Sequence, residues 1–200
     1  MSDLTSSNTS PALVLASGSR YRRDLLERLR LPFTAWAPDV DESVAAGERP
    51  AATAVRLARE KARAGARRWP QAWIIGSDQV ADVDGHAVSK PETLDNARRQ
   101  LRELSGRTVV FHTALALAAP GGRLEERLVD TEVAFRRLSD AEIERYLARE
   151  PALDCAGSAK SEGLGIALLD RLGGDDPTAL VGLPLIALSR LLRDAGFALP

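Results

Sequence analysis

A carboxylate follows the most hydrophobic short run of this chain: in WIIGSDQV, Asp78 and Gln79 come directly after Trp73, Ile74, Ile75 and the small pair Gly76–Ser77. An acid at the end of an apolar strand is held by rigid backbone while facing a cleft, which suits a proton acceptor or a metal ligand. Aspartate at that place also commonly just begins a turn. A second segment, SGSRYRR (17–23), has small residues and then arginines opening a helical pattern. Small residues let backbone N–H groups approach an anion at a helix start, and arginine grips phosphate oxygens in a fork. Cations at a helix N-terminus oppose the macrodipole, so an anionic partner would relieve them; the alternative is an exposed Arg-rich face. The segment is neither a Walker A loop nor a GxGxxG fingerprint. Lys61 in REKA and Lys90 in SKP are further candidates for a polyphosphate, and Asp41 and Glu42 supply the hard oxygen ligands that Mg²⁺ accepts alongside phosphate oxygens. Singly, each is an ordinary surface charge. Together they form the parts of a metal-assisted phosphoanhydride hydrolysis.

The elements that must position these groups follow from periodicity. PALVLAS (11–17) reads as a buried strand, and RYRRDLLERLR as a helix with Leu25, Leu26 and Leu29 at helical spacing and Ser19 as N-cap. FTAWA (33–37) reads as a strand. Residues 51–69 read as a helix with Val55, Ala58, Ala62 and Ala66 on one face, followed by the WIIGSDQV strand. Asp84-Gly85 predicts a tight hairpin turn. Thr93 caps a helix to Leu104, and residues 107–119 and 124–135 read as two long strands joined at Pro120-Gly121-Gly122, with Thr131, Val133 and Phe135 on the buried face. Ser139 and Glu142 form a capping box. CAGSAKSEGLG is a Gly/Ser-rich loop that carries a third polar segment, SAKSEG, expected at a strand end. GIALLDRL reads as a strand, and Pro184 opens a last helix through Leu192. Early strand–helix alternation with an antiparallel pair in the middle predicts an α/β domain with a mixed sheet and flanking helices over residues 11–200, preceded by a loose polar tail at 1–10.

The composition is 44% hydrophobic and 28% charged with a net charge of −1, that of a soluble globular protein with no overall field for nucleic acid or membrane. No apolar run approaches the ~20 residues of a membrane span, and the polar N-terminus lacks a signal-peptide core. One cysteine, Cys155, forms no internal disulfide and suits a cytoplasmic location; His86 and His112 are too few for a His-rich metal site and lie in strand-like segments.

In order along the chain, ASGSRYRRDLL, PDVDE, LAREKA, IIGSDQV, KP, LSGRTVVFHTALAL, CAGSAKSEG and DPTALVGLPL resemble the Maf family of nucleoside triphosphate pyrophosphatases, over residues 12 to about 195. The resemblance implies a fold related to the inosine triphosphate pyrophosphatases with a central cleft, a homodimer, a divalent metal (Mg²⁺ or Mn²⁺), and cleavage of a nucleoside triphosphate to a monophosphate and diphosphate. It assigns Asp78 as proton acceptor, Ser17, Ser19 and Arg22 to the phosphate loop, Lys61 and Lys90 as its basic partners, and Glu42 as the acidic partner expected at the metal. Tyr21, Gln79 and Glu162 resemble the subgroup acting on 7-methyl-GTP, rather than the one acting on dTTP and UTP. Tyr21 stands where that subgroup often has Trp, and Arg20 replaces a frequent Pro. Methylation at N7 makes guanine cationic, so a carboxylate and a flat aromatic ring suit it. The alternatives are the dTTP/UTP activity and a non-catalytic nucleotide-binding regulator of septum formation; nucleic-acid binding is disfavoured by the charge balance.

Overall fold

The computed structural model describes residues 12–200; the expected tail at 1–10 lies outside the described residues. Seven strands form one mixed sheet. β1 (Leu13–Ala16) lies between β2 (Thr34–Trp36) and β3 (Trp73–Val83) and is parallel to both. β5 (Thr108–Ala118), β6 (Leu124–Phe135) and β7 (Leu169–Gly173) continue the sheet antiparallel, and β4 (His86–Val88) hairpins back on β3. Asp84 and Gly85 both have positive φ (52° and 84°), the backbone that a two-residue turn between twisted strands requires. This is the mixed α/β architecture expected from the pattern.

Side-chain alternation divides the packing. Ile75, Leu115 and Leu117 face one side with Leu13 and Leu15, under α1 (Arg20–Glu27) and α5 (Leu185–Asp194). On that side, farther along β3 and β5, Ala81, Val83 and Phe111 pack under α3 (Leu94–Leu104) and α4 (Asp140–Arg149). The opposite face is alanine-rich at Ala114, Ala116 and Ala118, and α2 (Pro50–Arg68) lies on it. Small side chains let that helix approach closely. A Cβ on Gly76 would stand 2.2 Å from the Ala58 carbonyl oxygen and 2.6 Å from the Ala62 nitrogen.

Several expectations are corrected. Asp78 is not at the end of its strand: Gly76 and Ser77 make no turn, and β3 runs on to Val83 because β5 pairs with it from Ile74 to Asp82. The buried stripe of α2 runs through Ala54, Leu57, Ala58, Lys61, Ala62 and Gly65, with Val55 and Ala66 at its margin, because close contact with the sheet selects the smallest residues. SAKSEG follows a short 3₁₀ turn rather than a strand, and GIALLDRL is 3₁₀ from Leu164 to Leu168 before the strand begins at Leu169. The caps hold as read: Ser19, Thr93 and Ser139 each accept from the backbone N–H three residues on, and Glu142 completes the capping box.

Candidate active site

The site begins where β1 ends. β3 pairs with β1 only through Ile75 and with β4 only from Ala81, so on that edge residues 76–80 have no strand neighbour, while β5 holds the other edge. A cleft of about 1170 Å³ opens at this gap. That is slightly above the range of ordinary small-molecule sites, ~300–1,000 Å³. Ser17, Ser19, Tyr21, Arg22, Glu42, Lys61, Asp78, Gln79, Lys90 and Glu162 all line it. Segments spread along the chain therefore meet on one surface.

Asp78 points toward α2, because even-numbered positions of β3 face that helix. Lys61 of α2, almost fully buried, donates to Asp78 Oδ1 at 2.6 Å and lies 2.6 Å from Glu42 Oε1. One ammonium thus holds two carboxylates. The side chain of Asp78 is 11% exposed and that of Glu42 61%, so the first is fixed and the second reaches into the cleft. Partial burial works against the charge of Glu42, but its hydrogen bond to Lys61 and the charges of Lys61, Lys90 and Arg22 hold its carboxyl below the ordinary value. Lys90 stands exposed at the rim, just beyond β4.

The β1–α1 turn is built by its own side chains. Ser17 Oγ accepts from the Ser19 N–H at 3.1 Å, and Ser19 caps α1. Arg22 Nε donates to the Gly182 carbonyl at 2.8 Å and Nη1 reaches Ser17 Oγ at 3.4 Å. Burial pulls the Arg22 pKa below its ordinary value, opposed by the charges of Asp78 and Glu42.

Gln79 has a different position from its neighbour. Odd positions of β3 face away from α2, and its amide Nε2 is within 2.9 Å of the Thr113 hydroxyl and of the Ala179 and Leu180 carbonyls. Ser77 and Thr113 bond the same loop through Gly182 and Ala179. That loop is the DPTALVGLPL segment. Buried Asp176 ties it to α5, accepting from the N–H groups of Thr178, Ile186 and Ala187. Gln79 therefore anchors the cleft wall through its amide nitrogen. The motif was visible in the sequence, but its carbonyl–amide contacts were not.

At the other end, Tyr21 is already in charged company. Its hydroxyl donates to Asp154 Oδ2 at 2.9 Å, Arg20 Cζ is 4.8 Å from its ring centroid and Lys160 Nζ is 5.8 Å away. Burial raises the phenol pKa, so the ring is neutral at ordinary pH. Glu162 is exposed and, among the described residues, has no cation within 4 Å. Asp154 and Lys160 were missed in the sequence: an acid beside Cys155 and a lysine in a Gly/Ser loop carry no signal that separates them from solvated charges. Cys155 Sγ lies 3.6 Å from Asp154 Oδ1 and 4.0 Å from the Tyr21 oxygen, and burial pushes its thiol up to about 11.

The donor set can be tested against a hard divalent cation. Glu42 and Asp78 converge on the Lys61 ammonium, and among the described residues no group of three or more His, Cys, Asp and Glu is arranged to hold a metal ion by itself. Two carboxylates fit Mg²⁺ or Mn²⁺ if phosphate oxygens and water complete the shell, the usual arrangement for Mg²⁺ on nucleotides. His112 instead lies between Asp130 (2.7 Å) and Asp82 (3.2 Å) and lines no part of the cleft. Among the described residues, no helix is long and apolar enough to cross a membrane.

The chain is similar to proteins named 7-methyl-GTP pyrophosphatase from Xanthomonas campestris pv. campestris, at 60% identity over 95% of this chain and 99% of the relative, and from Xanthomonas oryzae pv. oryzae, at 62% over 95% and 100%. A protein of the same name from Aromatoleum aromaticum is 60% identical over 94% of this chain and 97% of its own. A crystal structure of a nucleoside triphosphatase (dITP/XTP pyrophosphatase) from Mycobacterium abscessus aligns over 92% of this chain and 96% of that one, with a TM-score of 0.45 and 17% identity. Residues 12–195 match the family described as Maf-like protein. With that match over nearly the whole chain and relatives at these identities, the chain belongs to the Maf-like protein family.

Proposed function

We propose that this protein hydrolyses 7-methyl-GTP to 7-methyl-GMP and diphosphate with the help of a divalent cation. The observation that carries the reading is the meeting of Asp78, Glu42 and Lys61 at one unpaired stretch of β3, inside a cleft that also presents Arg22 and Lys90. The names of relatives about 60% identical along nearly their whole length support the substrate.

In this mechanism the triphosphate lies against the Ser17–Ser19 turn, Arg22, Lys61 and Lys90. Asp78 accepts a proton from the attacking water, whose oxygen bonds to phosphorus as the anhydride bond to the leaving diphosphate breaks. Lys61 keeps Asp78 aimed through its 2.6 Å hydrogen bond, and Arg22 and Lys90 oppose the charge that builds on the phosphate oxygens. Glu42 would hold the metal, which when bound supplies charge neutralisation to the phosphates. Tyr21 and Glu162 meet the base: the ring supplies a π face and the carboxylate a countercharge for the methylated purine. A neutral pyrimidine has no use for that carboxylate. A homodimer follows from the family resemblance alone, and a cytoplasmic location from the single cysteine and the nucleotide substrate.

The test is a panel of 7-methyl-GTP, GTP, UTP and dTTP, each with Mg²⁺, with Mn²⁺ and with chelator, following diphosphate release. We expect metal-dependent turnover with 7-methyl-GTP preferred. Preference for UTP or dTTP overturns the substrate, orthophosphate as product overturns the bond cleaved, and binding without turnover favours a regulator.

A further inference from the structure

The charges around Tyr21 raise a difficulty for a cationic base, and Asp154 reduces it. Arg20 and Lys160 both stand within ~6 Å of the Tyr21 ring centroid, the range in which a cation interacts with an aromatic face. A methylated guanine approaching this ring would meet two positive side chains. Asp154, however, spends both carboxylate oxygens on the group. Oδ2 accepts from the Tyr21 hydroxyl at 2.9 Å and from Arg20 Nη2 at 3.2 Å, and Oδ1 lies 3.3 Å from Lys160 Nζ. Arg20, Tyr21 and Asp154 line the same cleft as Glu162. The Tyr21–Asp154 bond also spans 133 residues of chain, tying the first turn of α1 to the loop that carries Glu162.

We propose that Asp154 is a specificity-positioning residue, which fixes the Tyr21 ring and offsets one of the two positive charges of Arg20 and Lys160, so that together with Glu162 the base end carries no net positive charge against a cationic purine. This rests on the 7-methyl-GTP reading above. Asp154 would act on binding of the base and not on the phosphate chemistry, because Lys61, Asp78 and Glu42 form a separate charge group. The side chains of Arg20 and Asp154 are 67% and 48% exposed, so water and salt screen the effect, which is therefore moderate and salt-dependent.

The experiment compares kcat and KM for 7-methyl-GTP and GTP in the full-length protein and four variants. Asp154→Asn should lower the preference for 7-methyl-GTP roughly five- to tenfold, mainly through KM, with a smaller loss at ~0.5 M salt. Asp154→Glu, which keeps the charge, should hold the preference near the wild-type value. Adding Lys160→Met to Asp154→Asn should recover a large part of the loss, an outcome that a merely structural role for Asp154 would not produce. Lys160→Met alone should leave the preference at or above the wild-type level. A preference that survives Asp154→Asn within twofold, no recovery in the double variant, or a fall in the single Lys160→Met protein overturns the proposal. If the wild type itself does not prefer 7-methyl-GTP to GTP, the substrate reading fails first. If it does and Asp154→Asn changes nothing, only the role of Asp154 fails.

Discussion

The Lys61 ammonium and the Asp78 carboxylate meet at 2.6 Å, both nearly buried, one on α2 and the other in the middle of β3. The pair exists because α2 lies so close to the sheet at Gly76 that its next inward side chain reaches the unpaired stretch of β3. Buried charges are tolerated only when paired, so removing Lys61 leaves Asp78 to bear the desolvation cost, while removing Asp78 leaves Lys61 with Glu42 alone.

Asp78→Asn keeps the shape of the side chain but removes the proton acceptor. Turnover of 7-methyl-GTP should fall by about two to four decades. Steady-state diphosphate release, with circular dichroism to check the fold, decides it. Near-normal turnover would remove Asp78 from the role of base.

Gly76→Ala tests the helix–strand contact that builds the pair. The added methyl would meet the backbone of α2 at Ala58 and Ala62, so the helix must move as a unit. Overpacking of this kind costs about 1–3 kcal/mol. We expect a lower Tm and, since Lys61 moves with the helix, reduced kcat in the fraction that remains folded. A variant that loses stability but retains full kcat would show that the helix position does not set the acid.

Glu162→Gln removes the charge at the base end and leaves the hydrogen-bonding shape. The preference for 7-methyl-GTP over UTP and dTTP should narrow, while hydrolysis persists. Competition assays with mixed nucleotides give the ratio directly. An unaltered ratio would take Glu162 out of base recognition.

Acid stability should carry the signature of the α4 capping box. The carboxyl of Glu142 accepts from the Ser139 backbone N–H at 2.8 Å and from its hydroxyl at 2.7 Å, with Arg136 at 3.1 Å, and its pKa falls from 4.5 to about 2. Between those values the unfolded chain binds the proton that the folded chain does not, so stability rises with pH. The contribution is present above about pH 4.5 and is lost as pH falls toward 2. Glu142→Gln should flatten that part of the Tm-against-pH curve. Identical slopes for the two proteins would contradict it.

Cys155 should be slow to react. With its thiol pushed up to about 11, roughly one molecule in a thousand carries the thiolate at pH 8. Alkylation by iodoacetamide should run far slower in the native protein than in the denatured chain. Equal rates would mean the thiol is not shielded as the packing indicates.

Much of the architecture was legible in residue order. Period-two alternation at Thr131, Val133 and Phe135, the caps at Ser19, Thr93 and Ser139, and the Asp84-Gly85 turn are local signals, each complete within a few residues. The site residue types were legible for the same reason: acids, lysines and a Ser/Arg turn at positions where phosphate chemistry can use them. What local pattern could not reveal was where β3 stops having a neighbour. Asp78 reads as the end of a strand because the apolar run ends there, yet the strand continues on β5, and only its β1 edge ends. The roles of Gln79, Asp154 and Lys160 were equally hidden, since each meets a partner at least 34 residues away, Thr113 for Gln79 and Tyr21 for the other two. Sequence alone determined most element types, the family and the chemical inventory, because those depend on short-range backbone preference and on residue identity. Tertiary structure decided which carboxylate is buried against a lysine, which amide is spent on the cleft wall and which cations are neutralised, because charge and hydrogen bonding act through space and ignore chain distance.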